Sequence, residues 1–251
     1  MPEPTNPAHR AIILAAGRGE RLVSGLSFPK PMKPVIGVPL LVRILRNLER
    51  AGVSDVAVVI GHLGDVIASA IARERFALDI QLIQNDEYDL PNGVSVLAAG
   101  EFVRGPTFLM MADHLWSPDL FEAVAAFPLA ADEAVLGVDF NVTRCFDIPD
   151  ATKVRVDGDR VAAISKQLEQ YDALDTGVFR ITPALIDALR VARGPAGCSL
   201  SDGVGQLARL GRMRVADVGD AYWIDVDTPE AHAEAERLVT AYGDQLRPPR
   251  R

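Results

Sequence analysis

Ala11-Ile12-Ile13-Leu14-Ala15-Ala16-Gly17-Arg18-Gly19-Glu20-Arg21, followed closely by Phe28-Pro29-Lys30-Pro31, is the stretch on which the reading of this chain turns. Ala11 to Leu14 is short, branched and uninterrupted, the pattern of a strand buried on both faces. Two glycines then clear side chains from the backbone, and two arginines and a lysine follow. Bare backbone beside fixed positive charge suits a polyphosphate that must be approached closely. The loop lacks the dinucleotide fingerprint, because Leu22 stands where the third glycine belongs. It also lacks the Gly-Lys-Ser/Thr of a P-loop.

Outward from this loop, strands and helices alternate. Apolar spacing predicts a helix over Val38–Arg50 that closes at Gly52, a strand at Val56–Ile60 and a helix over Asp65–Arg75. A strand at Ile80–Ile83, a short helix at Val94–Gly100 and a fourth strand at Thr107–Met111 follow. This alternation predicts an α/β fold, a Rossmann-like and mainly parallel sheet with helices on both faces. The second half reads differently. Short strands at Ala134–Phe140, Lys153–Val156, Val161–Ile164 and Gly177–Ile181 lack long helices between them and predict antiparallel additions. Helices return at Pro183–Arg190, Ser201–Leu210 and Pro229–Tyr242. With no linker or repeat, one domain is expected over 1–251. Residues 10–115 would form a nucleotide-binding half, 116–243 an acceptor-binding half and 244–251 a basic tail.

The 251 residues carry a net charge of −8, which argues against a general nucleic-acid binder. An anionic substrate would need a local cluster of Arg and Lys. Cys145 and Cys198 stand far apart and give neither metal spacing nor a disulfide framework. No secretory signal opens the chain, and no apolar run reaches the ~18 residues that span a bilayer. A soluble, cytoplasmic protein is expected, with its oligomeric state left open.

Two carboxylate segments carry the next argument. Ala112-Asp113-His114 ends the fourth strand, where parallel sheets place their ligands. In Trp223-Ile224-Asp225-Val226-Asp227-Thr228-Pro229, Asp225 and Asp227 share a face if the segment is extended. Asp227 leads into a helix start with Thr228 as cap and Pro229 in the first turn, leaving Asp225 as the better metal ligand. Oxygen donors of this kind favour Mg²⁺. Asn92-Gly93-Val94-Ser95 reads equally well as a simple turn into a helix. Lys153, Lys166, Asp175 and Thr176, taken singly, read as solvated or turn residues.

As a set, these motifs resemble the nucleotidyltransferases that make nucleotide-activated sugars and polyols. Leu-Ala-Ala-Gly-x-Gly-x-Arg, then Pro-Lys-Pro, then Pro34 to Leu41 carry the resemblance, which extends to about Tyr242. Met111 to Leu115, Asp150 to Val154, Ile164 to Leu168 and Tyr171 to Phe179 look closest to the branch that activates inositol 1-phosphate with CTP. The resemblance implies that Leu14, Ala15, Ala16, Gly17 and Gly19 lie over the nucleotide, and that Arg21 and Lys30 meet its phosphates. It implies base reading by Asn92, Gly93 and Ser95, and Mg²⁺ held by Asp113 and Asp225. Lys166 would bring in the acceptor phosphate, with His114, Lys153, Asp175, Thr176 and Gly177 on the acceptor side. Members of this branch often carry a fused membrane transferase domain. A separate membrane protein is therefore expected to take the next step here.

The chemistry so implied is in-line attack of the acceptor phosphate on the α-phosphorus of CTP, with pyrophosphate leaving. The acceptor's second pKa is about 6, so no general base is needed. Three alternatives stand beside it: the same chemistry on a hexose 1-phosphate or phosphocholine, a glycosyltransferase using Asp113-His114, and a non-catalytic nucleotide-binding subunit. Phosphocholine would want an aromatic cage, and aromatics make up only 6% of the chain.

Overall fold

The structure, a computed structural model, describes residues 9–19 and 28–246. In chain order its strands are β1 (His9–Leu14), β2 (Pro34–Val35), β3 (Val38–Pro39), β4 (Val53–Ile60), β5 (Asp79–Gln84), β6 (Thr107–Met111) and β7 (His114–Trp116). They continue as β8 (Ala134–Asp139), β9 (Lys153–Asp157), β10 (Arg160–Ser165), β11 (Ala173–Ile181), β12 (Met213–Asp217) and β13 (Trp223–Asp225). The α-helices are α1 (Leu40–Arg50), α2 (Gly64–Arg73), α3 (Gly93–Ala98), α4 (Pro118–Ala126), α5 (Pro183–Ala192), α6 (Leu200–Arg209) and α7 (Pro229–Tyr242).

Nine strands form one sheet in the order β5-β4-β1-β6-β11-β8-β12-β10-β9. β1 lies between β4 and β6 and runs parallel to both, and β5 continues the parallel set. Beyond β6 the sheet turns largely antiparallel, through β11 against β6 and β8, and β10 against β12 and β9. The α/β architecture with antiparallel strands in its second half is the one expected.

The uninterrupted apolar runs follow from burial on both faces. Ala11 and Ile13 point into one core with Val56, Val58, Phe108 and Met110, beneath α1, α2 and α4. Ile12 points into the other with Ala57, Val59 and Leu109, beneath α3, α5 and α6. A third cluster sets α7 on Leu40, Leu115, Ile224 and Val226. Thr228 caps α7, its Oγ1 accepting from the Ala231 N–H at 3.1 Å, with Pro229 in the first turn. Among the described residues no helix is long and apolar enough to cross a membrane.

Four features depart from the sequence reading. The helix expected from Val38 begins at Leu40, because Pro34–Val35 and Val38–Pro39 form a hairpin closed by Ile36 and Gly37, both at positive φ. β11 begins at Ala173, so Asp175-Thr176-Gly177 lies inside a strand and bulges from its β8 partner. α4 and β12 carried too little period to stand out, and β12 is held by parallel pairing to the distant β8. The two-stranded ribbon of β7 and β13 lies apart from the main sheet and joins segments that no local pattern connects.

Candidate active site

The glycine loop leaves the carboxyl end of β1 and is pinned to its neighbour. Ala15 N–H donates to Val59 O at 2.8 Å, and His62 N–H donates to Ala16 O at 2.9 Å. Leu14, Ala16 and Gly17 line a cavity of about 330 Å³. An adjoining cleft is lined by Leu14, Ala15, Gly17, Gly19 and Lys30, and the two share Asp113 and Asp227. Gly19 has φ +62, and a Cβ there would fall 2.3 Å from Lys30 Cβ, so the loop passes directly over the lysine stem. Arg21 lies outside the described residues.

Lys30 starts a short 3₁₀ turn and is buried. Its ammonium donates to Asp113 Oδ2 at 2.6 Å, pairs with Asp227 and stands 3.8 Å from Asp225 Oδ1. These carboxylates come from two segments far apart in the chain. Asp113 sits in the turn between β6 and β7, and Asp225 ends β13, facing His114 across the ribbon. Val226 N–H donates to Asp113 O at 2.9 Å and locks the two segments. Asp227 therefore does more than lead into α7: Thr228 caps the helix, and the Asp227 carboxylate joins the cluster.

His114 Nδ1 lies 2.8 Å from Asp113 Oδ1. Its ring runs parallel to Trp223, 5° apart with centroids at 6.3 Å, and Trp223 Nε1–H donates to buried Asp139 at 3.0 Å. Burial by itself would lower the His114 pKa, but Asp225, Asp113 and Asp175 outweigh it and push it up to about 9. Burial likewise raises Asp113, but the Lys30 ammonium and His114 overcome this and hold its carboxyl well below the usual range. Asp175 ends on the other side. Burial pushes it up to about 6 against the Gly177 N–H bond and the charges of His114 and Lys166.

One ligand atom each from Asp113, His114 and Asp225 lie within 4.8 Å of one another, as do those of Asp150, Asp225 and Asp227. With His114 Nδ1 bonded to Asp113, the donor set is one of carboxylate oxygens, which fits a hard divalent cation such as Mg²⁺.

Elsewhere in the cavity wall Lys166 Nζ donates to Asp150 Oδ1 at 3.0 Å, and Asp147, Asp175 and Gly177 line the same cavity. Not every residue expected here reaches the cavity. Thr176 is fully buried with its hydroxyl on Gly137 O at 2.8 Å, because side chains alternate along β11 and Asp175 takes the cavity side. Lys153 is buried too, and its ammonium donates to Pro149 O at 2.9 Å, which ties down the loop before β9. Gly93 packs α3 against the start of α6, since a Cβ there would lie 2.6 Å from Cys198 O. Asn92 and Ser95 do line the cavity, with Asn92 Oδ1 accepting from Leu200 N–H at 2.9 Å.

Trp223, Asp227, Asp150 and Tyr88 are wall residues that the sequence reading did not assign. Alternation along Trp223-Ile224-Asp225 was the one local signal for Trp223. Cys145 also lines the cavity, and burial raises its thiol pKa, as do Asp139, Asp147 and Asp225, against a backbone hydrogen bond at Asp147. It is thus poorly suited to act as a nucleophile.

Residues 11–170 match the family described as the MobA-like NTP transferase domain. The chain is 35% identical over 92% of its length to the bifunctional IPC transferase and DIPP synthase of Rubrobacter xylanophilus, spanning 52% of that protein. It is 32% identical over 95% of its length to the CMP-5'-(3-aminopropyl)phosphonate synthase of Streptomyces rubellomurinus, spanning 40% of that protein. The chain thus spans about half the length, or less, of these curated relatives. Among solved structures, the inositol-1-phosphate CTP transferase from T. maritima matches with a TM-score of 0.83 and 25% identity, over 95% of this chain and 96% of that one.

Proposed function

This chain belongs to the MobA-like NTP transferase domain family, and from that premise we propose that it transfers a cytidylyl group from CTP to inositol 1-phosphate, releasing pyrophosphate. The observation that carries the reading is the shared wall of the two spaces: the glycine-loop cleft with Lys30 meets the Lys166 cavity at Asp113 and Asp227. A nucleotide under the loop and a phosphorylated acceptor at Lys166 would meet there. The names of the relatives, among them the structure of an inositol-1-phosphate CTP transferase, support the pair of substrates.

In this reading the acceptor needs no base, since its phosphate is ionised near neutral pH, with a second pKa of about 6. What remains is positioning and charge. Lys166 orients the acceptor phosphate, while Asp175 and the backbone of β11 at Gly177, both in the cavity wall, face its hydroxyls. Asp113 and Asp225 would hold Mg²⁺, which supplies charge neutralisation at the α-phosphate. Lys30 neutralises the departing pyrophosphate, joined by Arg21. His114, its ring held by Asp113 and packed on the Gly177 backbone, stands between the two substrates.

A second reading has one observation behind it. Three carboxylates, Asp147, Asp150 and Asp175, line the cavity along with Lys166, which is bonded to Asp150. Such a wall suits an acceptor that carries an amine beside its phosphonate, as the name of the Streptomyces relative describes. A pyrophosphate-release screen decides between them. It pairs the four nucleoside triphosphates, with Mg²⁺, against inositol 1-phosphate, 3-aminopropylphosphonate, phosphocholine and several hexose 1-phosphates. Release with CTP and inositol 1-phosphate is expected. Release only with an aminoalkyl phosphonate or a hexose 1-phosphate would refute the acceptor assignment.

A further inference from the structure

Asn85 follows β5 and is 3% exposed. Its Oδ1 accepts the backbone N–H of Glu87 at 2.9 Å. A backbone N–H can only donate, so this bond fixes which end of the amide is oxygen. The other end, Nδ2, therefore donates to Ser95 Oγ at 2.9 Å. Ser95 is buried on α3 and lines the cavity beside the glycine loop. A hydroxyl that accepts from an amide keeps its own proton for another partner. Among the described residues the structure gives that proton no acceptor, and the open side of Ser95 is the cavity.

We infer that Asn85 is a positioning residue: it holds the Ser95 hydroxyl as a proton donor toward position 3 of the nucleobase, so that the pair selects cytosine over uracil. The inference rests on the CTP reading above and supplies its physical basis. At position 3 cytosine offers a lone pair and uracil an N–H. A fixed donor fits the first. Against uracil, two protons face each other, or Oγ accepts with its remaining lone pair and strands its own proton in a buried site. Leaving such a group unpaired is costly enough to discriminate strongly.

The test is the ratio of CTP to UTP affinity, measured by calorimetry with Mg²⁺, for the wild type, Asn85→Ala, Ser95→Ala and the double variant. Asn85→Ala is expected to weaken CTP binding by on the order of tenfold and to leave UTP binding nearly unchanged. The double variant should be no worse than Ser95→Ala, because Asn85 acts only through Ser95. A merely structural Asn85 would lower both affinities together, and that result, or an unchanged ratio, overturns the inference. If Asn85→Ala does not fold, Asn85→Asp keeps the shape and the Glu87 bond. Its ionised carboxylate would accept the Ser95 proton, so at pH 7 the CTP preference should fall well below that of the wild type. A preference equal to that of the wild type overturns the inference. A wild type that binds UTP as tightly as CTP refutes the CTP reading itself, whereas a wild-type preference that survives substitution of Asn85 refutes only the role of Asn85.

Discussion

The imidazole of His114 lies directly against the backbone of Gly177: a Cβ added to Gly177 would fall 2.7 Å from His114 Cδ2 and 2.9 Å from Nε2. Gly177 also has φ +75, a conformation that side chains resist. Gly177→Ala should therefore cost about 1–3 kcal/mol of stability from backbone strain and also displace the ring. Gly158 separates the two effects, because it has φ +61 and nothing within 4 Å of an added Cβ. Both alanine variants should lower the melting temperature. Only Gly177→Ala should lower turnover, by up to about 10²-fold, as expected when a positioned group is shifted by an ångström.

Lys30 occupies, with its ammonium, the carboxylates assigned to the metal. In the proposed arrangement the ammonium and a metal ion would compete for one negative site until nucleotide phosphates drew the lysine away. Lys30→Ala should lose ~10²–10³ in turnover and yet bind Mn²⁺ more tightly than the wild type in the absence of nucleotide, as read by electron paramagnetic resonance. The metal-free variant should also melt earlier and regain stability on adding Mg²⁺. Unchanged turnover in the folded variant would refute the role of the lysine.

The raised pKa of Asp175 makes a stability prediction whose sign is fixed. Its folded value, about 6, lies above the ordinary 3.8. The folded state therefore holds the proton more tightly. The stabilisation is present in full below about 3.8 and is lost as pH rises through about 6. Asp175→Asn keeps an oxygen for the Gly177 N–H and cannot ionise. In chelator, it should be more stable than the wild type at pH 8 by on the order of 2 kcal/mol, with the difference vanishing toward pH 4. Denaturant titrations at the two pH values measure this.

Lys166 meets the acceptor and not the nucleotide in the proposed arrangement. Lys166→Ala should raise KM for the acceptor by about tenfold or more, with KM for CTP nearly unchanged. Its partner Asp150 orients the ammonium, so Asp150→Asn should move the same parameter in the same direction, less strongly. A rise in KM for CTP alone would place Lys166 on the wrong substrate.

Much of the fold was legible because its cause is local. β1, β4 and β6 are apolar on both faces, α7 carries its own cap and first-turn proline, and the glycine loop names its neighbour's charge. The ribbon was not legible. Nothing around His114 or Asp225 signals that they pair, since the pairing is decided by where β6 ends and by the packing of α7. Thr176 shows the same limit from the other side. Asp175-Thr176-Gly177 reads as one motif, but a strand sends neighbouring side chains to opposite faces, and only the register of β11 says which goes where. Asn85 was silent for a different reason: a neutral amide has no pattern, and its meaning lies in which backbone N–H it meets.

The β7–β13 ribbon has a consequence for how the protein comes to life. Tyr222 and Ser117 exchange hydrogen bonds at its end, Ser117 N–H to Tyr222 O at 2.8 Å and Tyr222 N–H to Ser117 Oγ at 2.9 Å. The carboxylates that meet Lys30 are brought together only when this late strand docks. A chain emerging during synthesis completes its glycine loop and its parallel strands long before Asp225 and Asp227 exist. The cluster around Lys30 is therefore among the last features of the molecule to assemble, and its partners Asp225 and Asp227 arrive with the last strand.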